Sequence, residues 1–255
     1  VPARAKLRAL VLRTVDYGES DRVVELLSEE RGKLSVFARG ARASRRRFAG
    51  ALELGTLLAV EVAERPGAEL ATLESAAVER AFGAVRGDLA RIACAAYACD
   101  LARALVRDHE PHPDLFGLLA GYLDLLDRKP AAPGSLRAYE LGALRAAGLA
   151  PRLDDCARCG GRLPGSPARL AVGLDEGGFL CGSCGPPNRP GPRCGPAAAA
   201  ALRRLAAVGP EGAGPLEEDV GAEAREMLTA FIEHQLGKRL PSRKFLDEVG
   251  PMLKP

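Results

Sequence analysis

The chain of 255 residues has no tryptophan, two methionines, three histidines and 4% aromatic residues. It offers no apolar run long enough to span a bilayer. Its first residues, Val-Pro-Ala-Arg-Ala-Lys, lack the apolar stretch of an export signal, so the seven cysteines are expected in a reducing cytosol, where pairs signal metal more than disulfide. Catalytic signatures are missing too. Gly32-Lys33-Leu34-Ser35 is not a phosphate-binding P-loop, because the first glycine of that motif would fall at Leu27. No GxSxG occurs, and Pro111 breaks any helical zinc motif around His109 and His112, which read as loop residues; His234 reads as a late helix position. The acidic groups Asp154-Asp155 and Glu217-Glu218-Asp219 read as loops or solvated helix starts rather than a Mg²⁺-nuclease site. The chain is therefore expected not to be an enzyme. Its 47% apolar and 27% charged residues are those of a globular protein.

A further absence is local. Between Glu30 and Glu53 there is no acidic residue, while Arg31, Lys33, Arg39, Arg42, Arg45, Arg46 and Arg47 supply seven positive charges. The whole chain is only +3, so everything outside this window sums to −4. Concentrated charge of this kind points to a phosphate backbone. The competing reading is a solvated loop in a chain that favours arginine over lysine throughout. Arginine forks grip phosphate oxygens two at a time and carry no sequence information, so the predicted contact is sequence-blind. Single-strand binders usually add aromatic platforms. Here this region holds only Tyr17, Phe37 and Phe48, some of which can be core, so charge is expected to dominate.

Residues 1–80 read as strands at Leu7–Thr14, Arg22–Ser28, Lys33–Ala38, Thr56–Ala63 and Glu69–Ala77, separated by turn signals. Gly32 fits a tight hairpin that needs a positive φ, and Leu34, Val36 and Ala38 share one face. Five short strands in about 80 residues suit a small Greek-key barrel of the OB type, with an SH3-like barrel as the neighbouring possibility. The basic window then joins the third and fourth strands. From Val78 the period becomes helical: Val85, Leu89, Ile92, Ala96 and Cys99, then Leu115 to Leu126. A third helix is expected from Ser135, as N-cap, to Ala147, stopped by Gly148. Ala197–Val208 and Ala222–Leu236 follow. The fold class is thus α+β: an OB-type barrel (1–80), a helical domain (81–150 and 195–255) and an inserted cysteine-rich finger (151–194).

Cys156-Ala-Arg-Cys159-Gly and, 21 residues on, Cys181-Gly-Ser-Cys184-Gly form a CxxC…CxxC pattern. Four thiolates satisfy tetrahedral Zn²⁺ and leave no position for a substrate, so the predicted ion is structural. Gly160 and Gly185 are expected to bend the chain and turn amides toward sulfur. Cys194 reads as a free thiol, and Cys94 and Cys99 as small core residues.

These blocks resemble one family, the bacterial recombination mediator RecO. The likeness runs through Val11-Leu12-Arg13-Thr14…Tyr17-Gly18-Glu19-Ser20-Asp21-Arg22, Gly32-Lys33-Leu34, Ala38-Arg39-Gly40-Ala41-Arg42 and Ser44…Arg47-Phe48. It resumes at Leu141-Gly142-Ala143-Leu144…Gly148-Leu149…Pro151…Leu153…Cys156…Cys159-Gly and Gly177-Gly178-Phe179-Leu180-Cys181…Cys184, and closes at Arg239-Leu240-Pro241-Ser242-Arg243…Phe245-Leu246, where Pro241 departs from the usual Leu-Lys-Ser run. The resemblance implies an OB-fold, a helical domain with a zinc finger, binding of single- and double-stranded DNA and strand annealing. It implies partners as well: RecR, often RecF, the C-terminal tail of SSB, and RecA loaded onto SSB-coated strands in the cytoplasm, at the nucleoid. Two other classes fit the residues: an RNA- or ribosome-associated OB and zinc-ribbon protein, and a scaffold that mainly docks SSB and RecR.

Overall fold

The computed structural model describes residues 3–44, 48, 50–64, 70–165 and 168–253. The chain forms two compact units, residues 1–128 and 129–255.

In the first unit five strands, β1 (Ala3–Tyr17), β2 (Asp21–Ser28), β3 (Gly32–Ala38), β4 (Leu57–Glu64) and β5 (Ala71–Arg80), close into a barrel in the order β1-β2-β3-β5-β4. The β3–β5 pairing is parallel and the other pairings are antiparallel. This is the OB-type arrangement expected from the sequence. Strand alternation builds the core: Leu7, Ala9, Val11, Val24, Leu26, Leu34, Val36, Leu58, Val60, Val62 and Leu73 all point inward and are buried. Each Val or Leu among them contributes roughly 1.5–3 kcal/mol by leaving water. β1 is long because it pairs with two strands, and a bulge between Val11 and Arg13 lets it turn from one to the other. The backbone freed at Val11 bonds to Gly55 and Thr56 instead. Gly32 has φ 69°, as the hairpin requires, and a Cβ there would also run into the Glu110 carbonyl.

The barrel's outward positions divide into two flanks. Leu10 pairs with both Leu27 and Leu57, and all three are buried outside the barrel core, where helix α1 (Leu89–Leu105) packs on β1. The row Val15–Val23–Phe37–Thr72 lies across β1, β2, β3 and β5 on the other flank, where Val15 is 40% exposed.

The change from strand to helix comes later than the periodicity at Val78 suggests. β5 continues to Arg80 in register with Leu57, a 3-10 helix covers Gly83–Gly87, and α1 begins after Asp88, whose carboxylate accepts from the Arg91 amide at 2.9 Å. Helix α2 (Pro113–Arg128) completes the unit.

The second unit holds α3 (Pro133–Ala146), a three-stranded sheet of order β7-β6-β8 from β6 (Leu170–Gly173), β7 (Gly178–Leu180) and β8 (Arg193–Cys194), then α4 (Pro196–Val208), α5 (Glu218–Leu236) and α6 (Pro241–Val249). Ser135 is not the N-cap of α3: Ala132 is, with Pro133 at the first helical position, and the Ser135 hydroxyl donates back to the Ala132 carbonyl at 2.9 Å. Gly148 ends that helix with φ 72°, its amide and that of Leu149 closing on Arg145 and Leu144. Inside this unit Glu140 is fully buried between Arg137 at 3.1 Å and Arg243 at 3.8 Å, joining α3 to α6.

Candidate nucleic-acid interface and metal centre

The basic window splits at β3. Arg31 and Lys33 sit at its hairpin end, Arg39 and Arg42 at the other, about 20 Å away along the strand. Arg31 pairs with Glu64. The Lys33 ammonium donates to the Arg103 carbonyl at 3.1 Å and meets Asp108 at 3.3 Å, so it neutralises the C-terminal end of α1. At the far end Arg39 and Arg42 are exposed. Their loop is pinned to the β1–β2 turn: the Arg42 amide donates to the Ser20 carbonyl at 2.9 Å, its guanidinium to the Gly18 carbonyl at 3.0 Å, and the Gly40 amide to the Asp21 carboxylate at 2.7 Å. Arg42 also lies 3.5 Å from Asp16. Arg45, Arg46 and Arg47 fall outside the described residues. Phe48, Ala51 and Leu52 return the chain to the barrel core.

The three aromatics take different places. Phe48 is core. Tyr17 is 60% exposed and meets half-buried Phe37 edge to face, ring centres 5.5 Å apart. The signal was present in the sequence: if Leu34, Val36 and Ala38 point inward, Phe37 must point out.

In the second unit the sulfurs of Cys156, Cys159, Cys181 and Cys184 lie within 4.8 Å of one another. Each knuckle is a tight turn, closed by the Gly160 amide on the Cys156 carbonyl and the Gly185 amide on the Cys181 carbonyl, both 2.8 Å. These glycine amides thus bond to carbonyls rather than to sulfur. Gly160 bends the chain with a φ of 70°, whereas Gly185 is needed for space, since a Cβ there would lie 2.6 Å from that of Ala171. The Ala157 amide donates to Phe179 at 2.8 Å, joining the knuckles. Burial pushes the Cys156 thiol up, but amides of Cys181, Cys159 and Arg158 donate to its sulfur and bring it down to about 6. Cys184 is instead pushed up to about 12, chiefly by its hydrogen bond to Cys181. A crowded set of this kind cannot ionise fully without a cation. Tetrahedral bonds of about 2.3 Å place sulfurs about 3.8 Å apart; Cys159 and Cys181 lie at 3.7 Å. Donor chemistry and spacing both suit a closed four-sulfur metal site.

Two family models cover the chain: "Recombination protein O N terminal" matches residues 3–82 and "Recombination protein O C terminal" matches residues 86–244. The chain belongs to the RecO family. The protein named DNA repair protein RecO from Anaeromyxobacter dehalogenans strain 2CP-1 is 62% identical over 255 residues, 98% of each chain. That of Myxococcus xanthus is 49% identical over 243 residues, 95% of this chain and 96% of its own. That of Geobacter sulfurreducens is 37% identical over 246 residues, 96% and 98% of the two chains. In this RecO-family chain the basic loop lies inside the N-terminal match and the cysteine cluster inside the C-terminal one.

Sequence reasoning missed the charges that brace the knuckles. Glu176 is gripped by Arg189 at 2.9 Å and by Arg158, while Arg189 also donates to the Cys184 carbonyl at 3.2 Å. Burial raises the Glu176 carboxyl, but these guanidiniums outweigh it and hold it below its ordinary value. Asp155 is held low by its hydrogen bond to Arg152 at 2.9 Å. Cys94, Cys99 and Cys194 are buried, and burial drives the Cys99 and Cys194 thiols up to about 12. Among the described residues no helix is long and apolar enough to cross a membrane.

Proposed function

We propose that this chain is a DNA repair and recombination protein that binds single- and double-stranded DNA through phosphates, without base reading and without catalysis of its own. The observation that carries the reading is the Arg39–Arg42 loop, held on the β1–β2 turn by three hydrogen bonds at the open flank of an OB-type barrel. The loop's backbone is ordered before any strand binds, and Arg42 would exchange its contacts with Gly18 and Asp16 for a phosphate, which suits phosphate contact. Arg45, Arg46 and Arg47 extend the same charge run, and Arg31 and Lys33, engaged at the far end of β3, are outlying contacts.

Annealing follows from the same charge. Two strands repel until their phosphates are neutralised, and a basic surface that holds both lowers that barrier. Membership in the RecO family, whose curated relatives are named DNA repair proteins, supports a mediator role: with RecR, and often RecF, the protein engages the C-terminal tail of SSB and helps load RecA on coated strands, at the nucleoid in the cytoplasm. Along the sequence the roles divide into nucleic-acid binding (1–80), helices (81–150 and 195–255) and a finger (151–194). In the finger Cys156, Cys159, Cys181 and Cys184 hold Zn²⁺. A bound Zn²⁺ would supply charge balance for four thiolates and no open coordination position, hence structure and no reaction.

The test is annealing of SSB-coated complementary strands. The expected result is faster annealing with the protein than without it; an unchanged rate contradicts the proposal.

A further inference from the structure

We propose that Tyr17 and Phe37 form a stacking platform for an unpaired nucleobase, so that the barrel face grips a single strand by a base as well as by its phosphates. The inference rests on the DNA-binding reading above and goes beyond it, because charge alone does not separate a single strand from a duplex.

The platform belongs to the open flank. Val15, Val23, Phe37 and Thr72 lie in one cross-strand row, with Tyr17 two residues beyond Val15 on the same face of β1; Val15 is 40% exposed and Tyr17 60%. Single exposed apolar side chains are common on any surface, but a contiguous row flanked by an exposed aromatic marks a contact surface. The edge of one ring against the other fixes the Tyr17 ring at 84° to Phe37 and leaves Tyr17 largely open to solvent. A base stacking there finds an oriented ring, with little side-chain freedom left to lose.

Charge selects the occupant. The turn that follows Tyr17 is the one to which Arg42 is pinned, through Gly18 and Ser20. Two of the three carboxylates in this stretch are engaged: Asp16 with Arg22 at 3.0 Å and with Arg42, and Asp21 with the Gly40 amide. Arg42, exposed and bonded to the Gly18 carbonyl, therefore lies beside an exposed aromatic, the pairing that single-strand binders use. A duplex keeps its bases stacked on each other and has no free base face to offer along its length.

The test compares the full-length protein with Tyr17→Ala and Tyr17→Phe on three probes of equal length: an oligothymidylate, the same backbone without bases, and a duplex. The expected result is that Tyr17→Ala weakens oligothymidylate binding about tenfold, leaves abasic and duplex binding unchanged, and is rescued by Tyr17→Phe. Because the chain lacks tryptophan, Tyr17→Trp would carry the only indole, and its emission should be quenched by the oligothymidylate and not by the abasic strand. An oligothymidylate affinity for Tyr17→Ala within about twofold of wild type overturns the platform, as does an equal loss on all three probes. Failure of the underlying DNA reading looks different: the wild-type protein would then bind neither the abasic strand nor the duplex.

Discussion

The barrel loop and the cysteine knuckles both gather charge of one sign, and they use it in opposite ways. The loop holds cations apart on a surface whose fold is complete: hydrogen bonds from Gly40 and Arg42 fix the backbone whether or not a phosphate is near. The knuckles bring four sulfurs within 4.8 Å, where thiolates repel unless a cation lies among them. Taking the ligand from the first region should cost binding, and from the second, folding.

The comparison breaks most sharply at Cys156. Cys156→Ser, or chelation, should cost the finger its order, since structural zinc contributes about 10–16 kcal/mol of apparent binding energy in isolated fingers. Amide exchange should then rise across Ala168–Cys194 while the barrel strands keep their protection. Equal loss in both regions would break the comparison. Next in size is Glu140, a buried charge balanced by protein cations rather than a metal. Glu140→Ala leaves Arg137 buried without its anion and Arg243 with Asp247 alone, and should cost about 3–5 kcal/mol in denaturant unfolding, without touching DNA affinity. Replacing Arg45, Arg46 and Arg47 by Ala should do the reverse: stability unchanged, the salt slope of single-strand binding reduced by about 2, and annealing slowed. The smallest effect is that of acid. Glu176 has a lower pKa folded than unfolded, so its contribution is present above the unfolded value and lost as pH falls through the folded one. Thiolate protonation would release a bound metal in the same direction. The finger should therefore melt earlier as pH drops toward about 4, before the barrel does.

Much of this was legible in the sequence where a short period carries the information. Short apolar runs between turn signals located all five strands of the barrel, and cysteine spacing marked the four sulfurs that the structure brings together. The errors fall where tertiary contacts override local pattern. β5 ran past Val78 because β4 offered partners as far as Leu57. Helix α6 was read only as a departure at Pro241, whereas that proline opens it at the first turn. Lys33 looked like part of a uniform basic window, and only the return of the chain at Arg103 and Asp108 assigns it a helix end. Tyr17 and Phe37 were visible as residues, but the exposure that makes them a surface comes from a flank that α1 leaves uncovered.

The phosphate clamp is tested most directly by the salt dependence of single-strand binding. About five contacts, the number Arg39, Arg42, Arg45, Arg46 and Arg47 can supply, predict a slope of log K on log salt of roughly −3.5, so a fourfold rise in salt should weaken binding about 10²-fold. An affinity that hardly changes over that range would contradict the account.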